Sequence, residues 1–295
     1  MAELRGDQAS GLRRLFGRGQ SRIVTFAAGS VGVGKSVTVA NLAAALARQG
    51  KEVLVIDENT EDNVAALFGC LIRHDLLQVI NRERTLAETV LEVAPGVRVL
   101  SAARAIRRLG KLTPGQRGNL VDSIVEMDRP ADVILIDASL DHPLGFSPFG
   151  LAAHETVIVV SPTGASITEA YTLIKKVSLS YARKHFRILV NRARALDEAE
   201  AIYGNLAQVT RSRDLARLEC AGFVPLDEHL RQAARLCQPV LGLFPEAPSA
   251  RAYRQLAGDL LQWPGVDTES GGLEHFVHQL IHLSQRIDPI AVHAG

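Results

Sequence analysis

Residues 22–36 read RIVTFAAGSVGVGKS, an apolar run that reaches Gly29, passes four residues and closes on Gly34-Lys35-Ser36. The spacing meets G-x-x-x-x-G-K-[ST], the pattern of a loop that wraps phosphates between a strand and a helix. Glycines let backbone N–H groups turn inward on phosphate oxygens, and the helix behind the loop adds the positive end of its dipole. The candidate nucleotide-binding residues are therefore Gly29, Gly32, Val33, Gly34, Lys35, Ser36 and Val37, with Lys35 on the outer phosphates and Ser36 on magnesium. The bland alternative is a glycine turn that leaves Lys35 in solvent.

Five more continuous apolar runs follow, at 52–57, 97–101, 132–137, 155–161 and 186–191. Stretches such as 36–49 and 167–182, apolar at helical spacing, separate them. Unbroken apolar runs belong to strands covered on both faces. Strand and helix in alternation imply right-handed crossovers, hence an α/β fold with a mostly parallel twisted sheet and helices on both faces. Ligands of such sheets sit beyond the carboxyl ends of the strands. Asp57 and Asp137 close the runs VLVID and VILID at that edge, where with Ser36 they form the candidate magnesium site and with Lys35 the candidate catalytic set. Each aspartate alone would equally suit a helix cap.

The chain divides into an N-terminal segment, 1–21, a nucleotide-binding domain, 22–263, and a linker with an amphipathic helix, 264–295. Its 33 basic and 32 acidic residues leave a net charge of +1, which gives no general footprint for nucleic acid, and no direct nucleic-acid contact is expected. Cys70, Cys220 and Cys237 are odd in number and far apart, the pattern of free thiols packed in the core of a cytoplasmic protein. Neither a secretory h-region nor an uncharged apolar stretch of membrane-spanning length is present, so the expectation is a cytoplasmic protein, at most peripheral on the inner face of the cell membrane.

With these residues in place the chain resembles the MinD/ParA class of P-loop ATPases, and within it the FlhG-type (FleN-type) regulators of flagellar number and placement. The likeness runs through VTVANLAAALARQGKEVLVID after the loop, SITEAYTLIK at 166–175, Val190-Asn191-Arg192, and GFVPLDEHLRQAARLCQPV at 222–240. Asp7-Gln8-Ala9 with Gly11-Leu12-Arg13 and the SITEAYTLIK stretch point to the FlhG type. The resemblance implies ATP or ADP with Mg2+, an adenine contact from Asn191, and a base-flanking loop at Pro225. It further implies a homodimer, and an N-terminal helix whose Asp7, Gln8 and Ala9 activate an FlhF-type signal-recognition GTPase through Gln8. Relatives also touch flagellar switch proteins or a flagellar transcription regulator.

Three departures fall on hydrolysis or dimer switching. Ser30 stands where the family has a lysine that crosses the dimer, and Val31 follows in place of glycine. Asp57-Glu58-Asn59 replaces D-x-D, and Ala138-Ser139-Leu140-Asp141 replaces a glycine-containing run. A neutral hydroxyl cannot offset charge on a transferring phosphoryl group, so ATP binding is expected to survive better than turnover. The alternative is an active, membrane-cycling dimeric ATPase switch, division and partition roles included. In it Glu58, Glu61 or Asp62 supplies the carboxylate and an arginine the cation.

In the last segment Leu273, Phe276, Val277, Leu280 and Ile281 share one helical face. Phe276, Val277, Leu280 and Ile281 are the candidate membrane contacts; the other reading docks the same face on the protein's own domain. The opposite face, with His275, His278 and His282, carries little positive charge until the histidines protonate below about pH 6.5.

Overall fold

The computed structural model describes residues 21–61, 63–125, 131–140 and 146–264, together with 276, 279–280 and 282–283. Asp7, Gln8, Ala9, Asp62, Val277 and Ile281 lie outside the described residues. Eight strands form one sheet: β1 (Arg22–Ala27), β2 (Val53–Asp57), β3 (Leu91–Ala94), β4 (Val97–Ser101), β5 (Val133–Asp137), β6 (Glu155–Val160), β7 (His185–Ala193) and β8 (Arg217–Pro225). Their order is β3-β4-β2-β5-β1-β6-β7-β8, and every pairing is parallel except β3 with β4. The expected parallel α/β sheet is therefore present, with one antiparallel strand at an edge.

The sequence runs select the six inner strands and pass over β3 and β8. Both are edges. β3 is mostly half-buried and β8 mixes exposed and buried positions, so neither reads as a continuous apolar run. Ten α-helices lie between and after these strands in residues 21–264: α1 (Lys35–Arg48), α2 (Leu76–Ile80), α3 (Leu86–Thr89), α4 (Pro114–Val125), α5 (Pro148–Ala152), α6 (Gly164–Tyr181), α7 (Leu196–Ser212), α8 (Glu228–Arg235), α9 (Val240–Leu243) and α10 (Pro248–Gln262).

Side chains alternate across the sheet with period two. Val24, Phe26, Val53, Val55, Val133 and Leu135 enter a first core with α1, α9 and α10. Their neighbours Ile23, Leu54, Ile56, Ile134 and Ile136 enter a second core on the opposite face, with α2, α4 and α5. A third cluster continues that second face under α6 and α7.

The second core has an unexpected member. Phe276 and Leu280, candidates for membrane contact, are each 1% exposed. Phe276 stacks on Phe149 with ring centroids 6.2 Å apart, and lines a small cavity with Leu54, Leu76 and Ile124. In this structure Phe276 and Leu280 are docked on the protein's own domain. The cysteines correct another expectation. Cys220 lies on the edge strand β8 and Cys237 in the turn after α8, both exposed, and only Cys70 is partly covered. Among the described residues no helix is long and apolar enough to cross a membrane.

Candidate functional site

Parallel register brings the predicted residues together. Asp57 of β2 pairs with Asp137 of β5, and Asp137 with Phe26 of β1, whose strand runs into the glycine loop. Gly34 adopts the left-handed conformation, φ +86°, as N-cap of α1, and no side chain caps that helix. α7, α9 and α10 also lack a side-chain cap, but only α1 begins at the glycine loop. An anion in that loop would meet the first-turn N–H groups of α1, with the helix dipole behind them.

Gly29 is required for a different reason. A Cβ there would lie 2.3–2.5 Å from the backbone of Glu169 and Ala170 in α6. The SITEAYTLIK stretch is the floor on which the loop rests. Gly34 is crowded too: a Cβ would meet Asn191 Nδ2 at 2.4 Å.

Lys35 is buried, and its Nζ contacts Asp137 Oδ1. Asn59, at the position where the family has an aspartate, turns inward and joins the two carboxylates. Its Nδ2 donates to Asp57 Oδ1 at 3.0 Å, to Asp137 Oδ2 at 2.8 Å and to the Asp137 carbonyl at 3.1 Å. Burial, reinforced by the negative charge of Asp137, raises the Asp57 carboxyl to about 6. The amide lets two adjacent carboxyl groups share a dry site. Asn59→Asp would set a third carboxylate against those oxygens, so without metal the variant should be less stable by about 1–3 kcal/mol. Adding magnesium should raise its melting temperature more than that of the parent, and thermal melts with and without the ion read both.

Glu58 answers one proposed role. It is buried, with Oε2 accepting from the Ser139 N–H at 2.9 Å and Oε1 contacting Ser147 Oγ, the N-cap of α5. Burial raises its carboxyl to about 8. Both oxygens are committed to the two ends of the segment after β5.

Asn191 is half committed. Its Nδ2 donates to the Val33 carbonyl at 2.7 Å, fixing the loop, while its Oδ1 is buried without a hydrogen-bond partner. An orphaned acceptor beside a phosphate loop matches an exocyclic amine such as that of adenine. Pro225 ends β8 one strand away, paired with Ala193, and is half-buried. The sequence reading did not single out Arg192 for a role. It holds φ +62° and places a guanidinium nitrogen 3.6 Å from where a Gly34 Cβ would be, so a cation reaches the loop from the same chain. Its only sequence signal is its place after Asn191.

These residues fit the group the motif calls for. The uncapped helix, Lys35 and Arg192 suit phosphates, the Asn191 acceptor suits a base amine, and Ser36, Asp57 and Asp137 offer the hard oxygens magnesium prefers. A glycine loop and two strand-end aspartates meeting at one sheet edge in this way define the P-loop nucleotide-binding class. Residues 24–240 match the family described as CobQ/CobB/MinD/ParA nucleotide binding domain, and the chain belongs to that family.

Antiactivator FleN of Pseudomonas aeruginosa is 31% identical, over 88% of this chain and 93% of that protein. The flagellum site-determining protein YlxH of Helicobacter pylori is 24% identical, over 90% and 91%. Among solved structures, the septum site-determining protein MinD of Pyrococcus horikoshii complexed with Mg-ADP superposes with a TM-score of 0.61. That match has 21% identity and covers 81% of this chain and 96% of that one.

Proposed function

We propose that the protein binds ATP or ADP with Mg2+ and regulates flagellar number and placement as an FlhG-type protein. The uncapped N-terminus of α1 with the Asn191 acceptor beside it supports the ligand, and the match to antiactivator FleN over most of both chains supports the process. Its output is an FlhF-type GTPase, reached through Asp7, Gln8 and Ala9; flagellar switch proteins or a flagellar transcription regulator are further partners of the same kind. The protein is cytoplasmic and peripheral on the inner face of the cell membrane, and homodimerises.

Turnover is weak or lost in this reading. Bound magnesium would neutralise the phosphate oxygens. Lys35 and Arg192 hold the phosphates, Asn191 orients the base, and Asn59 holds Asp57 and Asp137 together. Three of the carboxylates near the loop are engaged elsewhere: Asp57 and Asp137 are bridged by Asn59, and Glu58 is bonded to Ser139 and Ser147. A second reading, an active ATP-hydrolysing switch, draws on Arg192, a cation that approaches the loop at Gly34 while Ser30 supplies none.

ATP binding and turnover by the full chain with magnesium, beside Lys35→Ala, decide between them. Retained binding with no turnover above that of Lys35→Ala is the expected result. Turnover that vanishes in Lys35→Ala would overturn it in favour of the switch. Gln8→Ala should lower stimulation of an FlhF-type GTPase by at least about tenfold, the scale on which trans-acting residues work in phosphoryl transfer. ATP binding should be unchanged in that variant.

A further inference from the structure

The chain's charges nearly cancel, yet they are not mixed evenly. Residues 93–121 hold Arg98, Arg104, Arg107, Arg108, Lys111 and Arg117 and not one carboxylate. The rest of the chain is correspondingly acidic: 27 basic against 32 acidic residues, from 33 − 6 and 32 − 0.

Folding turns most of that segment's charge outward. After β4 the chain coils so that Ala102, Ala105, Ile106, Leu109 and Leu112 enter the second core, while Arg104, Arg107, Arg108 and Lys111 remain exposed. Arg73 joins them through Asp75. The buried Asp75 carboxylate accepts from Leu77 N and Ala105 N on one oxygen, and from Arg104 N and Ser101 Oγ on the other. This knot fixes the start of α2, two residues after Arg73, against the arginine-rich turn. Arg73, Arg104, Arg107, Arg108 and Lys111 form no ion pair among the described residues. Close by, Leu71 is 83% exposed.

The patch and the described residues of the last segment lie on the same face of the sheet. Leu76, next to Asp75, lines one cavity with Phe276, and Ile106, Leu109 and Leu112 share their apolar cluster with Phe276 and Leu280. An amphipathic segment alone gives weak, reversible attachment to a bilayer, and stable attachment takes a second signal such as a polybasic surface. The polar face of the last segment is poor in cations. We propose that Arg73, Arg104, Arg107, Arg108 and Lys111 form that second signal, a docking surface for the acidic headgroups of a membrane. The inference rests on the peripheral-membrane part of the function proposed above.

Flotation of the full chain with phosphatidylcholine vesicles, with and without phosphatidylglycerol, tests it. The variant is Arg104→Gln with Arg107→Gln and Arg108→Gln; the control removes three cations from the opposite side, Arg48→Gln, Lys51→Gln and Arg235→Gln. At roughly a fivefold effect per cation near an acidic surface, the first variant should bind acidic vesicles on the order of a hundredfold more weakly. The control should stay within about twofold, and added salt should weaken the parent. Since the three arginines make no ion pairs among the described residues, the variant should melt like the parent.

Unchanged flotation of the variant while the parent floats would overturn the patch and leave membrane attachment standing. Loss of partner-GTPase stimulation with unchanged flotation would also overturn it, in favour of a protein partner. Failure of the parent to float on acidic vesicles would overturn the membrane reading itself.

Discussion

Glu58→Gln should remove most of the pH dependence of stability of the metal-free protein between about pH 4.5 and pH 8. Burial raises the Glu58 carboxyl from its ordinary 4.5 to about 8, with Asp137 adding to the rise and Lys35, Ser139 and Ser147 opposing it. Between those values the folded chain keeps a proton that the unfolded chain releases. The folded state then binds more protons than the unfolded state, and stability falls as pH rises. It is highest below about pH 4.5 as far as this group is concerned, and the loss is complete above about pH 8. At 1.36 kcal/mol per pH unit, the loss across that window is on the order of 3–5 kcal/mol. Asp57 contributes with the same sign over a narrower window, from its ordinary 3.8 to about 6. Glutamine keeps an acceptor for the Ser139 N–H and a donor for Ser147 Oγ, so the variant should match the parent in acid and exceed it in mild base. Urea unfolding in chelator across this range measures it. Parallel profiles for the two proteins would show that Glu58 is ionised in the fold.

Phe276→Ala should destabilise the protein by about 3–5 kcal/mol, the cost of truncating a core phenylalanine. Residue 276 follows the last residue of α10 by fourteen positions, and from sequence it reads as part of a surface helix. The structure buries it among Phe149, Leu54 and Ile134. Chemical denaturation of the full chain gives the value, and a change near zero would mean that the segment spends its time off the domain. Membrane insertion of the same face would have to give up this packing, so Phe276 sets the free energy against which a bilayer competes.

The phosphate loop, the inner strands and the strand-end aspartates were legible because each depends on local spacing or on two-faced burial. Asn59 shows where that reading stops. Its replacement of an aspartate is visible as a change of residue, but the bridging of two carboxylates follows from the parallel register of β2 with β5. Glu58, with Glu61 and Asp62, is a sequence candidate for the missing carboxylate because it lies close to Asp57 in the chain. Its actual partners, Ser139 and Ser147, are 81 and 89 residues away in the chain. The docking of Phe276 was an open alternative, since an amphipathic face is equally apolar whether protein or lipid covers it.

The strand order also sets a schedule for synthesis. β1 is made first but lies in the middle of the sheet, and its two neighbours, β5 and β6, begin at Val133 and Glu155. β2 cannot shelter it, being paired with β4 and β5. At translation rates of about 5–20 residues per second, the apolar strand Arg22–Ala27 waits roughly six to twenty seconds for its first partner. For that interval the nascent chain carries two bare strand edges ahead of its phosphate loop.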